Sequence, residues 1–99
     1  MGYQVGLTDA AIEDLGAAVR FLAEKNAEAA LRLGEDILDA ALSLAILPRR
    51  GAPVRRRPGM RKLSHRYFLI FCQVNEAAQW VEIVRIWDGR KDPNALHLP

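Results

Sequence analysis

A chain of 99 residues buries very roughly two-thirds of the surface its unfolded form exposes, so one domain is expected over 1–99, with a surface tail at about 93–99. Ordinary proportions of hydrophobic (51%) and charged (26%) residues exclude wholesale disorder. No apolar run approaches the ~18 residues of a membrane span, the N-terminus has no basic stretch ahead of an apolar region, and the single cysteine excludes an internal disulfide, so a cytoplasmic protein without a membrane partner is expected.

The net charge of +2 is unevenly divided, −5 up to Leu47 and +7 from Pro48 onward. Such a split suits an external polyanionic or acidic partner for the C-terminal half, or attraction between the two halves within the fold.

Tyr3 to Leu7 alternates weakly and is expected as a short strand. Thr8 and Asp9 then offer side-chain oxygens to the unpaired amides of a helix N-terminus. That helix is expected to run to about Lys25, with Ile12, Leu15, Val19 and Leu22 as its buried stripe. Asn26 breaks and caps, and a second helix is expected from Ala27 to about Leu47. Its stripe is Leu33, Ile37, Ala40, Leu44 and Leu47, widened by Leu31, Leu38 and Leu42 as if to meet a second packing partner. So short a connection makes the two helices an antiparallel hairpin. Gly34 costs roughly 1 kcal/mol of helix propensity relative to alanine, tolerable where a neighbour packs closely. Pro48 ends the helix. Residues 48–59 are expected as a loop without structure of its own, and its five arginines read as functional rather than merely solubilising.

The chain is organised around the stretch from Met60 to Trp87. Arg61–Ser64 reads as a short strand. Tyr67–Val74, nearly all apolar and rich in aromatic and β-branched residues, reads as a central strand covered on both faces. Asn75–Gln79 is a polar turn, and Trp80–Trp87 is the antiparallel partner. Trp80 and Trp87 alternate with Val81, Ile83 and Ile86 and read as packing groups rather than base-stacking ones. Asp88–Pro99, punctuated by Gly89 and Pro93, is expected as a tail on the surface. The order is β-α-α-β-β-β: an α+β fold with a helical hairpin packed on one face of a small, mostly antiparallel sheet.

There is no glycine-rich phosphate loop, no dinucleotide fingerprint and no spacing of metal ligands, so no metal and no cofactor are expected. Cys72, mid-strand in an apolar run, reads as a small buried hydrophobe. What remains is cationic. Arg61, Lys62, Arg66 and Arg85 lie on or beside the strands, Arg90 and Lys91 follow them, and together they form a candidate target-binding set, because guanidinium forks grip phosphate oxygens bidentately. Cleaving RNA without a metal also needs a positioned base and acid, worth roughly 10²- to 10⁴-fold. His65 is the histidine close to the cluster, with Tyr67, Glu82 and Asp88 as other titratable groups.

The ordered series Leu7, Ala10-Ala11, Asp14-Leu15, Asn26-Ala27-Glu28-Ala29-Ala30, Leu47-Pro48 and Gly51 resembles the opening half of the RelE/ParE superfamily of toxins from bacterial type II toxin-antitoxin modules. The resemblance continues through Gly59-Met60-Arg61-Lys62-Leu63, Arg66-Tyr67-Phe68-Leu69-Ile70-Phe71, Val81-Glu82-Ile83-Val84-Arg85-Ile86-Trp87 and Gly89-Arg90-Lys91-Asp92-Pro93. It implies a compact α+β toxin wrapped by a cognate antitoxin in a hetero-oligomer, with antitoxin docking at the helical hairpin and sheet edge. It also implies one of two targets: the ribosome and its mRNA, cut by a metal-independent endoribonuclease as in RelE-like members, or DNA gyrase, as in ParE-like members. By position, the residues that would serve cleavage are Lys62 and Arg90, with Arg61 adjacent; His65 is the proton-transfer candidate from the residues alone, its other reading being an exposed turn histidine. Phe68 stands where the nucleases tend to carry arginine, Asp88 where many relatives have histidine, and His97 is the tail residue nearest to a C-terminal catalytic group. Those departures fit the gyrase-acting branch. The alternative reading is a basic nucleic-acid-binding module without toxicity, including a decayed toxin.

Overall fold

The computed structural model describes residues 2–98. The chain runs β1 (Gln4–Leu7), α1 (Asp9–Ala23), α2 (Ala27–Leu42), a 3₁₀ turn (Ser43–Ala45), β2 (Ala52–Pro53), β3 (Met60–His65), β4 (Phe68–Asn75), β5 (Trp80–Asp88) and a second 3₁₀ turn (Pro93–Ala95). The strands form one sheet in the order β1-β5-β4-β3-β2, and every pairing is antiparallel except β1 with β5. The expected α+β fold, a helical hairpin on a mostly antiparallel sheet, is the one observed.

Both helices start where their caps dictate. The Thr8 hydroxyl oxygen accepts from the Ala11 amide at 3.1 Å, and the Asn26 side chain accepts from the Ala29 amide at 3.0 Å. Gly34 lies where a Cβ would come within 3.3 Å of Val19, so its lack of a side chain lets α1 and α2 approach closely.

Helix α2 ends earlier than its periodicity suggested. The chain tightens into a 3₁₀ turn at Ser43, whose hydroxyl donates to the Ala40 carbonyl at 2.6 Å. Leu33, Ile37, Ala40 and Leu44 are buried as expected, but the changed twist turns Leu47 out to solvent. Leu31, Leu38 and Leu42 are also exposed, as is Ile12 on α1. They form no second packing surface within the chain.

Phe68, Ile70 and Cys72 of β4 face the helices together with Leu63, Val81, Ile83 and Ile86. A bulge opposite Phe71 and Cys72, which pair with Arg85 and Ile83, inserts one extra residue into β5. It shifts the alternation, so Ile83 and Ile86, three apart, point to the same core. The opposite face is covered too, but by parts of the chain read as loop and tail. Met60, Phe71 and Val84 are buried there under Val54, Leu69, Trp87, Leu96 and Leu98. The expected surface tail is thus partly a lid, because Leu96 and Leu98 remove apolar area from water; Pro99 lies outside the described residues.

The loop at 48–59 is likewise not structureless, since Ala52 and Pro53 pair with Lys62 and Arg61. Gly51 makes this pairing fit. A Cβ there would stand 2.9 Å from the Lys62 carbonyl oxygen. Gly51→Ala is therefore expected to destabilise the protein by about 1–3 kcal/mol, read as a lowered urea midpoint with an unchanged m-value.

Candidate functional site

The cations of the C-terminal half do not converge on one platform. Residues directly opposite in a ladder share a face, and Arg61 pairs with Cys72 while Lys62 pairs with Phe71. Arg61 therefore projects on the helix side, where its Nη1 donates to the Gly51 carbonyl at 2.8 Å and the Arg49 carbonyl at 3.3 Å. Lys62 projects from the other face and is exposed. His65, opposite Phe68, also points to the helix side, and its Nε2 is buried without a hydrogen-bond partner. Strand β3 thus sends Arg61 and His65 to one side of the sheet and Lys62 to the other.

Arg66 and Tyr67 form the two-residue connection between β3 and β4, with Arg66 in the left-handed region at φ 54°. From there the Arg66 guanidinium reaches Asp36 of α2 at 3.4 Å. Arg49, in the loop, pairs with Glu76 of the β4–β5 turn.

Arg85 is the most deeply engaged cation. Its Nε and Nη2 donate to the two carboxylate oxygens of Asp14 at 2.6 and 2.9 Å, and the side chains are only 19% and 16% exposed. The same carboxylate accepts the Ile86 amide at 3.0 Å, and Arg85 Nη1 donates to the His97 carbonyl at 3.3 Å. The reason is topological. β1 pairs with β5 only as far as Ile83, and beyond it α1 lies beside the strand. Thr8 donates its hydroxyl to the Val84 carbonyl and Asp14 accepts from Ile86, so side chains of α1 finish the hydrogen bonding that β1 leaves open. Arg85, expected among target-binding residues, is placed as a tie between α1, β5 and the tail. Sequence reading assigned Asp14 no role, and its only local signal is an acid outside the apolar stripe.

Arg90 follows the last strand and is clamped by its neighbour. Its Nε and Nη2 donate to Asp88 at 3.0 and 2.8 Å, its own amide donates to the same carboxylate at 2.9 Å, and the guanidinium lies 3.8 Å from the Tyr67 ring centroid. Hydrogen bonding from Arg90 holds the Asp88 carboxyl below its ordinary range, aided by the Lys91 charge, and Asp88 in turn raises Arg90. A depressed carboxyl contributes stability above its unfolded pKa, about 3.9, and loses that contribution as pH falls through its lower folded value. Asp88→Asn is therefore expected to flatten the acid limb of the stability profile below about pH 4, as followed by urea unfolding between neutral and acid pH. Lys91 is exposed.

Cys72 is buried, and burial pushes its thiol above the ordinary value, leaving a packing group rather than a nucleophile. No group of three or more His, Cys, Asp or Glu side chains that could hold a metal occurs among the described residues. No helix there is long and apolar enough to cross a membrane.

The apolar groups that the fold leaves exposed form the other prominent surface. Leu31, Leu38 and Leu42 lie on one side of α2, and Ile46, 81% exposed, continues that spacing beyond the helix end. Ile46 and Leu47 line a depression of about 460 Å³ with Tyr3 and Pro48, bordered by Arg49 and Arg50.

No curated protein matches the chain in sequence. Among solved structures, it is similar to a chain of the chromosomal ParDE toxin-antitoxin system from Pseudomonas aeruginosa, with 25% identity and a TM-score of 0.71 over 85% of this chain and 92% of that one. It also shares its fold with a chain of a RelBE toxin-antitoxin complex from Mycobacterium tuberculosis, at 20% identity and a TM-score of 0.65, covering 89% of this chain and 92% of that one. A chain of the intact E. coli RelBE complex shares the fold more distantly, at 14% identity and a TM-score of 0.51 over 85% and 93% of the two chains. The family model for the ParE toxin of the type II toxin-antitoxin system parDE matches residues 5–93. That span runs from β1 past the Asp88–Arg90 clamp, and the chain belongs to the ParE toxin family of type II toxin-antitoxin systems.

Proposed function

We propose that this toxin arrests growth by acting on DNA gyrase, without cutting RNA, and that a cognate antitoxin laid along the helical hairpin neutralises it. The observation that carries this reading is the dispersal of the groups a metal-free ribonuclease would need together. Arg61 and Lys62 lie near the start of β3 on opposite faces, while His65 and the Arg90 held by Asp88 belong to the other end of that strand. General acid-base cleavage needs its donor and acceptor within about 3 Å of the reacting oxygens, and the placement of Arg61 and Lys62 on opposite faces of β3 speaks against such a convergence. The antitoxin reading rests on the exposed row Leu31, Leu38, Leu42 and Ile46, which a monomer leaves in water. The relatives from P. aeruginosa and M. tuberculosis are described as members of toxin-antitoxin pairs, which supports a protein partner of that kind. The protein works as one domain over 1–99 in the cytoplasm and needs no cofactor.

Induced expression tests the proposal. The expected result is growth arrest with double-strand DNA breaks and an SOS response, relieved by the neighbouring open reading frame. Cuts in mRNA at the ribosomal A site, found by primer extension, would instead establish the nuclease reading, and undiminished growth would establish the non-toxic one. Removal of charge at Arg61, Lys62 and Arg90 together is expected to abolish toxicity while the circular dichroism spectrum stays native.

A further inference from the structure

Most arginines in this chain are engaged within it. Arg20, Arg49, Arg66, Arg85 and Arg90 are in ion pairs, while Arg50 and Arg61 donate to Ser43 and to backbone carbonyls. Arg55 and Arg56, in the loop joining β2 to β3, have no hydrogen bond or ion pair among the described residues and are exposed. Their loop is nevertheless firmly built. The Val54 amide donates to the Met60 carbonyl at 2.9 Å, the Val74 amide to the Gly59 carbonyl at 2.9 Å, and the Gln73 side chain to the Pro58 carbonyl at 3.0 Å. A backbone held in this way adds little loop-ordering cost when its guanidinium groups meet a ligand.

Arg56 adopts φ 64°, a left-handed conformation for which glycine is the low-energy choice and which costs another residue on the order of 1 kcal/mol. The chain keeps a cation where glycine would be easier to accommodate. Beside it, Arg56, Arg57, Val54, Pro58 and Met60 line a shallow cleft of about 290 Å³. Lys62 continues from it, on the same face as Met60 and about 7 Å along the strand. Planar guanidiniums match phosphate oxygens. Binding single strands also calls for exposed aromatic stacking platforms; on this face Phe71 is buried and Trp87 is half-buried in the same apolar cluster. Tyr67 is near the other end of β3 and lies against Arg90, while the Trp80 ring covers Gly6 of β1.

We propose that the β2–β3 loop, through Arg55 and Arg56 with Lys62 beyond them, is a docking surface for the phosphate backbone of duplex DNA, read without regard to sequence. It shares Lys62 with the residues proposed to carry toxicity, but Arg55 and Arg56 are separate from them, so a failure of DNA binding in the Arg55/Arg56 variant is distinguishable from a failure of growth arrest.

Fluorescence anisotropy with a 20-base-pair duplex across a series of NaCl concentrations tests it, because each phosphate contact contributes about 0.9 to the slope of log K against log salt. Arg55→Gln with Arg56→Gln is expected to reduce that slope by about 1.8, and adding Lys62→Gln by about 2.7 in total. Arg20→Gln with Arg32→Gln, on the helices, is expected to leave it unchanged. Arg55 and Arg56 make no internal bonds, so the loop variant should melt as the parent does; Arg56→Gly, which suits the backbone, serves as a second variant reducing the slope by about 0.9. An unchanged slope in the loop variants, an equal fall in the helix variant, tighter binding of single-stranded RNA of the same length, or preferential binding of an acidic peptide would each overturn the proposal.

Discussion

Asp14→Ala is expected to lower the stability of the protein by about 3 kcal/mol, the cost of stranding a partly buried charge together with a strand amide. The carboxylate serves two elements at once, accepting both Arg85 nitrogens and the Ile86 amide from a position 71 residues earlier in the chain. Without it, the Arg85 side chain, 19% exposed, keeps the His97 carbonyl and the Trp87 ring but no counter-charge among the described residues, and the Ile86 amide of β5 loses its acceptor. Asp14→Asn keeps an acceptor for Ile86 but not the charge, and should fall between the two. Urea unfolding of both variants, with Arg85→Ala and the Asp14/Arg85 double alanine variant, measures the coupling, expected at about 2 kcal/mol. A loss below about 0.5 kcal/mol for Asp14→Ala would show that the tie between α1 and β5 is not what holds them.

Leu38→Gln combined with Leu42→Gln should have the opposite profile, leaving stability nearly unchanged and crippling neutralisation. Both side chains are exposed in the free protein, so little burial is lost and each substitution should move stability by at most about 0.5 kcal/mol. Apolar anchors at the centre of an interface cost about 2 kcal/mol each when removed, and two of them correspond to roughly 1,000-fold in Kd. Calorimetric titration with the product of the adjacent gene checks the affinity, and co-expression checks the consequence, since cells making both proteins should stop growing. Unaltered affinity would move the antitoxin interface away from the helical hairpin.

The elements themselves were legible because each rests on local signals. Thr8 and Asn26 announce the helix starts and the polar residues before Trp80 mark the hairpin turn, whereas α2 ends at Leu42, ahead of the stop read at Pro48. Less legible was the direction in which a legible residue points. Leu31, Leu38 and Leu42 have the composition of core and recur at helical spacing, yet a helix can carry two apolar sides and the sequence does not say which one the protein fills. Alternation in β5 is broken by one inserted residue at Val84, which only the partner strand reveals. The spatial arrangement of the candidate site residues was the least legible. Arg61 and Lys62 are adjacent in sequence and so lie on opposite faces of a strand, while the acids that engage Arg66 and Arg85 sit on helices far away along the chain. Ion pairs of that kind have no local signature. The acidic first half and basic second half do attract one another in part, through Asp36 and Asp14.

The parallel partnership of β1 with β5 bears on when a ribosome can release a working toxin. Thr8 meets Val84, 76 residues later, so β1 has no strand to pair with until β5 has emerged. At synthesis rates of roughly 5–20 residues per second that delay is several seconds. Throughout it, the newly made helices are present without the sheet that would complete the molecule, which gives a waiting inhibitor first access to them before any active form exists.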